Sequence, residues 1–225
     1  MIAHPVAAAI AACTTAVERG EIPCDRERCP RCEGYPGRFK YHATRRRHFL
    51  VIIGRLVTEV ISALTRWKCS CCGKTFTLYP PFALPYKRYV CQDICRLAQA
   101  YVGDDKLSYR KAVQVNSMAV CYGGQEGQDS RIDDRVLGPS TLHRWVGWLG
   151  SLKQTALQAW RLIRAKSPTC DLCRKAVVVA GGKYRTQARR DVLQRCGRLL
   201  ETDRVYRALF DISVFTELAT ACRWR

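Results

Sequence analysis

At 225 residues and 48% apolar composition, the chain is long enough for one or two domains and too apolar for wholesale disorder. No run approaches the roughly 18 consecutive apolar residues a spanning helix needs, so no membrane partner is expected. Its 38 Lys and Arg against 19 Asp and Glu leave a formal charge of +19, well beyond what solubility requires, which points to a polyanionic partner.

Residues 1–26 predict an Ala-rich lead-in helix that ends around Gly20 and Pro23. The apolar stretch from Val6 to Ala12 has no Lys or Arg before it, so a secretory signal is not expected. Fourteen cysteines, several in metal-type pairs, then argue for a reducing cytoplasm rather than a disulfide scaffold, with nucleoid association if the polyanion is DNA.

Residues 27–86 read as a zinc ribbon built on a small antiparallel sheet. Phe39 and Tyr41 alternate with Arg38, Lys40 and His42, β-branched residues crowd Val51 to Ile61, and Leu64, Arg66 and Trp67 carry the last strand into a cysteine pair. The ends of this segment hold Cys29-Pro30-Arg31-Cys32 and Cys69-Ser70-Cys71-Cys72, each with a glycine close behind, Gly34 and Gly73. Two thiolates separated by two residues can share one tetrahedral ion, and a nearby glycine relieves the backbone where amides turn toward sulfur. One structural Zn2+ is therefore expected on Cys29, Cys32, Cys69 and Cys72, with Cys71 spare. His42 and His48 are alternative ligands that four thiolates make unnecessary.

The prolines of Leu78 to Pro85 exclude a helix interior and mark a boundary. Residues 87–166 predict a helical, helix-turn-helix-like module. Val90, Ile94, Leu97, Ala98 and Tyr101 recur at helical spacing up to Gly103, with Lys87 and Arg88 opening that helix. A short second helix runs from Ser108 through Arg110 and Lys111 to about Val115. Residues 116–139 have the Gly, Asp, Gln and Ser content of an inserted loop. A long helix starts near Pro139 or Ser140, with Leu142, Trp145, Val146 and Leu149 as its buried stripe and Thr141, His143 and Arg144 outward, and it continues past a break at Gly150 to about Lys166. Residues 167–225 read as a basic, mostly helical C-terminal region, with a strand candidate at Val177 to Val179 and a helix from Thr186 to Leu200. The fold class is α+β.

The region from Cys29 to about Leu149 resembles the zinc-ribbon and helix-turn-helix portion of insertion-sequence transposases and related transposon-associated proteins of uncharacterised function. The resemblance is carried by Cys29-Pro30-Arg31-Cys32, Tyr41-His42-Ala43-Thr44-Arg45-Arg46-Arg47, Thr65 to Phe76 through the second pair, Leu84-Pro85-Tyr86-Lys87-Arg88-Tyr89, and Ser140 to Trp145. It implies DNA binding. In that family an acidic metal-dependent nuclease domain follows these modules, but the few scattered carboxylates beyond residue 150 do not supply one. With only His4, His42, His48 and His143 available, no Ser-His-Asp or Cys-His arrangement stands out either. The expectation is a DNA-binding protein that is not itself an enzyme.

Clustered guanidiniums neutralise phosphates and can fork two bonds to a phosphate or guanine, which makes Arg45, Arg46 and Arg47 candidate DNA contacts, although a strand must turn the middle one away from its neighbours. Lys74, Lys87, Arg88, Arg110 and Lys111 are further candidates. Thr141, His143 and Arg144 join them on the outer face of a recognition-type helix. Trp145 and Trp148 form a candidate stacking pair, with Trp145 drawn to the core by its place on the apolar stripe. RNA, or a scaffolding role, is the alternative, and a homo-oligomer is compatible with the sequence. Cys170 and Cys173 make half a knuckle that isolated Cys196 and Cys222 could complete, leaving a second metal open. Cys91 and Cys95 read as small core hydrophobes, and Gly181-Gly182-Lys183 as a turn rather than a phosphate loop.

Overall fold

The computed structural model describes residues 4–54, 56–104, 106–114, 118–122, 137–171 and 186–216. Its frame is a long antiparallel hairpin of β1 (Lys40–Ile53) and β2 (Leu56–Lys68), with Ile53 opposite Leu56 and Lys40 opposite Lys68. The chain reverses at Gly54, whose φ of +61° would strain any residue with a Cβ. The β-branched run from Val51 to Ile61 is thus two strands meeting at a glycine. β3 (Thr75–Thr77) pairs antiparallel with one end of β2, giving a small three-stranded antiparallel sheet. β4 (Met118–Tyr122) pairs parallel with the other end of the same edge, within the segment expected to be loop. Of that expected loop, 116–117 and 123–136 lie outside the described residues, as do Val177 to Val179.

The apolar run Phe49 to Ile52 is continuous because the strand is covered on both faces. Phe49 and Val51 join Ile10 and Phe82 in one core, while Leu50 and Ile52 join the helices in another. The first core is closed by α1 (Pro5–Glu18), which opens with proline at its first position and packs on β2. The Thr14 hydroxyl of α1 accepts the Ala63 amide at 3.3 Å and lies 3.2 Å from the Ser62 hydroxyl, fixing the helix on the sheet.

The proline segment is irregular, with Phe82, Ala83 and Leu84 buried. The chain then runs briefly beside β1: Leu50 donates its amide to the Arg88 carbonyl at 2.9 Å and Val90 donates to Leu50 at 3.1 Å. These bonds hold Lys87 and Arg88 out of a helix, so α2 (Cys91–Gly103) starts later than the basic pair. In α3 (Tyr109–Gln114), Ser108 acts as the cap, its hydroxyl accepting the Lys111 amide at 3.2 Å.

α4 (Pro139–Ser151) buries Leu142, Trp145, Val146 and Leu149, the stripe its 3.6-residue period required. α5 (Lys153–Lys166) follows after a break at Leu152. α6 (Gln187–Phe210) runs ten residues beyond Leu200 and packs on α4, α5 and α2. It ends at Asp211, with φ of +56°. There the Asp203 carboxylate ties down the following turn, accepting from Ser213 Oγ at 2.6 Å and the Val214 amide at 2.8 Å. The largest core joins Leu50, Ile52 and Val57 of the hairpin to α2, α3, α4 and α6. No helix among the described residues is long and apolar enough to cross a membrane.

Candidate metal centre and basic face

The two cysteine pairs fold into matching turns. Cys29 donates its amide to the Gly34 carbonyl at 2.9 Å and accepts from Glu33 at 2.8 Å; Cys69 donates to Lys74 and accepts from Gly73, both at 3.0 Å. In each turn the residue after the second cysteine of the pair is left-handed, Glu33 at φ +60° and Gly73 at φ +67°. The first knuckle therefore places a glutamate, not Gly34, in the strained position. The hairpin brings the turns together because Lys40 and Lys68, one residue from the second knuckle, are register partners.

The Sγ atoms of Cys29, Cys32, Cys69 and Cys72 lie within 4.8 Å of one another, Cys29 to Cys72 at 3.9 Å and Cys32 to Cys69 at 4.0 Å. Disulfide bonding needs about 2.05 Å, so these are four separate thiols. Four sulfurs at about 2.3 Å from a tetrahedral centre stand about 3.8 Å apart, so the cluster is close enough to hold a metal ion. Cys29 and Cys69 are buried, and Phe39 and Phe76, edge to face at 5.0 Å, complete the small core beneath them.

The thiols compete for their protons. Burial pushes Cys69 up, but the Cys72 and Cys71 amides, with the Cys29 and Cys72 thiols, pull it down to about 7. Cys32, although eased by the Gly34 amide, is driven to about 12 by desolvation and by the three thiols around it. Crowding four thiols together makes it costly to ionise more than one of them, a repulsion that a divalent cation removes. Cys71 stays exposed and outside the cluster, as its spare status required. His42 is exposed and not part of the cluster, and His48 sits 3.2 Å from Glu59.

Among the expected DNA contacts, Arg47 is engaged internally. Its guanidinium donates to the Lys87 carbonyl at 2.8 Å and lies over the rings of Phe49 and Tyr79. Arg46 is exposed and 3.9 Å from Glu18, and Arg45 is exposed. Lys74 is exposed at the second knuckle, its carbonyl holding Cys69. Arg88 bonds Glu59 at 3.1 Å, and Arg110 and Lys111 are exposed on α3.

The other candidates converge on α4. Lys87 lies 4.8 Å from the Trp148 ring centre, and burial together with the nearby Arg144 guanidinium lowers its pKa. Among the described residues Arg144 bonds only within its own helix, to the Ser140 carbonyl at 3.3 Å and Thr141 Oγ1 at 3.5 Å. His143 packs edge to face on Tyr109 at 5.4 Å, and burial with Arg189 of α6 lowers its pKa. Arg189 also bonds the Tyr109 hydroxyl. Sequence reasoning missed Arg189. The signal for it was Gly147 and Gly150, a turn apart on α4. A Cβ at Gly147 would sit 3.9 Å from Arg189 Nη1, and one at Gly150 would sit 2.4 Å from the Val192 carbonyl, so these glycines admit α6. Trp145 is buried against Tyr89, leaving Trp148 as the half-buried member of the expected stacking pair.

Cys91 and Cys95 pack together at 3.9 Å, with Cys91 fully buried. Cys196 is buried in the largest core, and Cys170 packs near α5 and the end of α6. Cys173, Cys222 and Gly181 to Lys183 lie outside the described residues.

Residues 29–115 match a family described as a domain of unknown function, DUF6431. The match spans both knuckles, the hairpin, the proline segment, α2 and α3. No curated protein and no solved structure matches the chain.

Proposed function

We propose that this chain is a zinc-stabilised DNA-binding protein of transposon-associated type, acting without a catalytic domain of its own. The observation that carries the reading is the meeting of Lys87, Arg144, His143 and Arg189 on one face around α4. Burial first and then the nearby Arg144 guanidinium depress the lysine, and no carboxylate lies within ion-pair distance of either residue among the described residues. A polyanion bound across this face would relieve that uncompensated repulsion. The dipole of α4 adds partial positive charge at its N-terminus, although Pro139 has no amide hydrogen and the Thr141 and Leu142 amides are already bonded to the Gly138 carbonyl. His143 and Arg144 then stand where a helix laid in a groove presents side chains to phosphates or base edges.

The metal would be held by Cys29, Cys32, Cys69 and Cys72. Its contribution is structural, since four thiolates leave no open position for a substrate. The likeness of the knuckles and of Ser140 to Trp145 to transposase modules supports DNA over other polyanions.

Fluorescence anisotropy with a labelled duplex over a salt series tests the reading. Arg144→Glu and Lys87→Glu are each expected to weaken binding at least about tenfold and to flatten the salt slope by about 0.9 for each phosphate no longer neutralised. Unchanged affinity in both variants, or tighter binding of structured RNA than of any duplex, would refute it.

A further inference from the structure

The sheet leaves one stretch of strand without a strand beside it. β2 pairs with β4 at Leu56–Glu59 and with β3 from Arg66 onward, so the same edge at residues 60–65 has no strand neighbour among the described residues. Other partners take its backbone there: Thr14 Oγ1 accepts the Ala63 amide at 3.3 Å, and the Thr65 carbonyl accepts the Leu78 amide at 2.9 Å. A helix and a proline segment thus stand where a strand would lie. They fill the place incompletely, and a cavity of about 450 Å³ remains. Ala9, Cys13 and Val17, spaced four apart on α1, form one stripe of its wall, while Ala63, Pro80 and Pro81 supply surfaces too short or too rigid to reach in and close it.

The volume lies within the roughly 300–1,000 Å³ typical of small-molecule sites. In a chain that is 25% charged and carries +19, no residue lining this cavity is charged. A phosphate or any other ion entering it would lose hydration with no counter-charge in return, so the cavity does not serve the basic face. Two oxygens of its lining residues are unsatisfied: Gln92 Oε1 and Thr216 Oγ1 are shut from water and have no hydrogen-bond partner among the described residues. Buried oxygens left unbonded are destabilising, and both of these accept, so both call for a donor. Rotation about the end of the side chain, broad for a glutamine amide, would turn such an oxygen to a guest.

We propose that this cavity binds a small, uncharged, largely apolar molecule that ends in a hydroxyl, its apolar body against the α1 stripe and its O–H donated to Gln92 or Thr216. The site is independent of the function proposed above.

The test is calorimetric titration of the zinc-loaded full chain with decanol, and with decanoate and decylammonium as charged homologues of the same length. Decanol is expected to saturate a single site, with each charged homologue at least about tenfold weaker. Ala9 is an exposed position on the lining, so Ala9→Trp should block the cavity and remove decanol binding while circular dichroism stays that of the parent. Gln92→Leu should weaken decanol about three- to tenfold, the worth of one hydrogen bond. The proposal is overturned if decanol gives no saturable heat, if either charged homologue binds as tightly, or if both variants bind decanol like the parent. Duplex affinity enters none of these outcomes, so failure of the α4 reading would leave this one standing.

Discussion

Stripping the metal should loosen the ribbon end of the hairpin and leave the helical core folded. Ordering the two knuckles, Cys29–Gly34 and Cys69–Lys74, fixes twelve residues, at about 1–2 kcal/mol each in lost backbone freedom. Beneath them the core offers Phe39 and Phe76, worth about 1.5–3 kcal/mol apiece. That shortfall is close to the roughly 10–16 kcal/mol that a structural zinc supplies at neutral pH. The larger core from Leu50 through α6 shares no residue with this one. Hydrogen exchange on the parent protein before and after a strong chelator is the direct assay. Amides of 29–40 and 68–77 should lose protection, while those of α2, α4 and α6 keep theirs and helical circular dichroism holds. Cys29→Ser and Cys72→Ser should reproduce the chelated pattern, and Cys71→Ser should not. Knuckle protection that survives metal removal, with all four thiols then freely alkylated, would refute the energy balance and the metal assignment together.

Gly150→Ala forces a Cβ to 2.4 Å from the Val192 carbonyl and 2.9 Å from its Cγ1, so α4 and α6 must part; about 1–3 kcal/mol of stability and a lower Tm are expected, with Gly147→Ala milder because it meets only the end of Arg189. Arg47→Ala should cost about 1 kcal/mol in denaturant melts, yet leave the duplex salt slope unchanged, since its guanidinium is already committed to the Lys87 carbonyl. Burial and then Arg189 hold His143 below its ordinary value of 6.5, so the free protein loses this contribution as pH falls through 6.5 and the imidazole is forced to charge beside a guanidinium. A bound phosphate reverses that sign: duplex affinity should rise between about pH 7.5 and 6, and His143→Gln should abolish the rise.

The cysteine cluster was legible in the sequence because Cys-x2-Cys spacing is a local property, and a tight turn satisfies it wherever the chain goes. The stripe of α4 was legible for a similar reason, since periodicity is fixed by the helix itself. What escaped was set by partners distant in sequence. Lys87 and Arg88 are kept from a helix by partners distant in sequence, Arg47 on the Lys87 carbonyl and Leu50 on the Arg88 carbonyl, and no local pattern announces that bridge. The pairing of Met118–Tyr122 with Leu56–Glu59 is parallel and long-range, and its Gly-rich surroundings have loop composition. Gly54 was hidden inside a β-branched run, where composition outweighs a single residue. Glu33 took a left-handed position that a glycine one place later advertised. Arg47, read as one of three like neighbours, differs from Arg46 only in which way the strand turns it.

The hairpin explains how a metal knuckle and a helical face can belong to one device while remaining energetically separate. From Lys40 to Leu50 the strand covers about 33 Å at roughly 3.3 Å per residue, so the thiols stand far from the core that β1 enters at its other end. Between them, β1 and β2 are tied to the segment that carries Lys87: Arg47 bonds the Lys87 carbonyl, Leu50 bonds the Arg88 carbonyl, and Glu59 holds Arg88 and His48. Lys87, whose ammonium feels the Arg144 guanidinium, is therefore positioned by the hairpin rather than by α4. Loss of the metal would free the far end of the strands but not these bonds, which lie within the half of the hairpin packed on helices. A metal held by the four thiols would therefore serve reach rather than grip: it would stiffen the distant end of the hairpin, and the α4 face would keep its geometry with or without it.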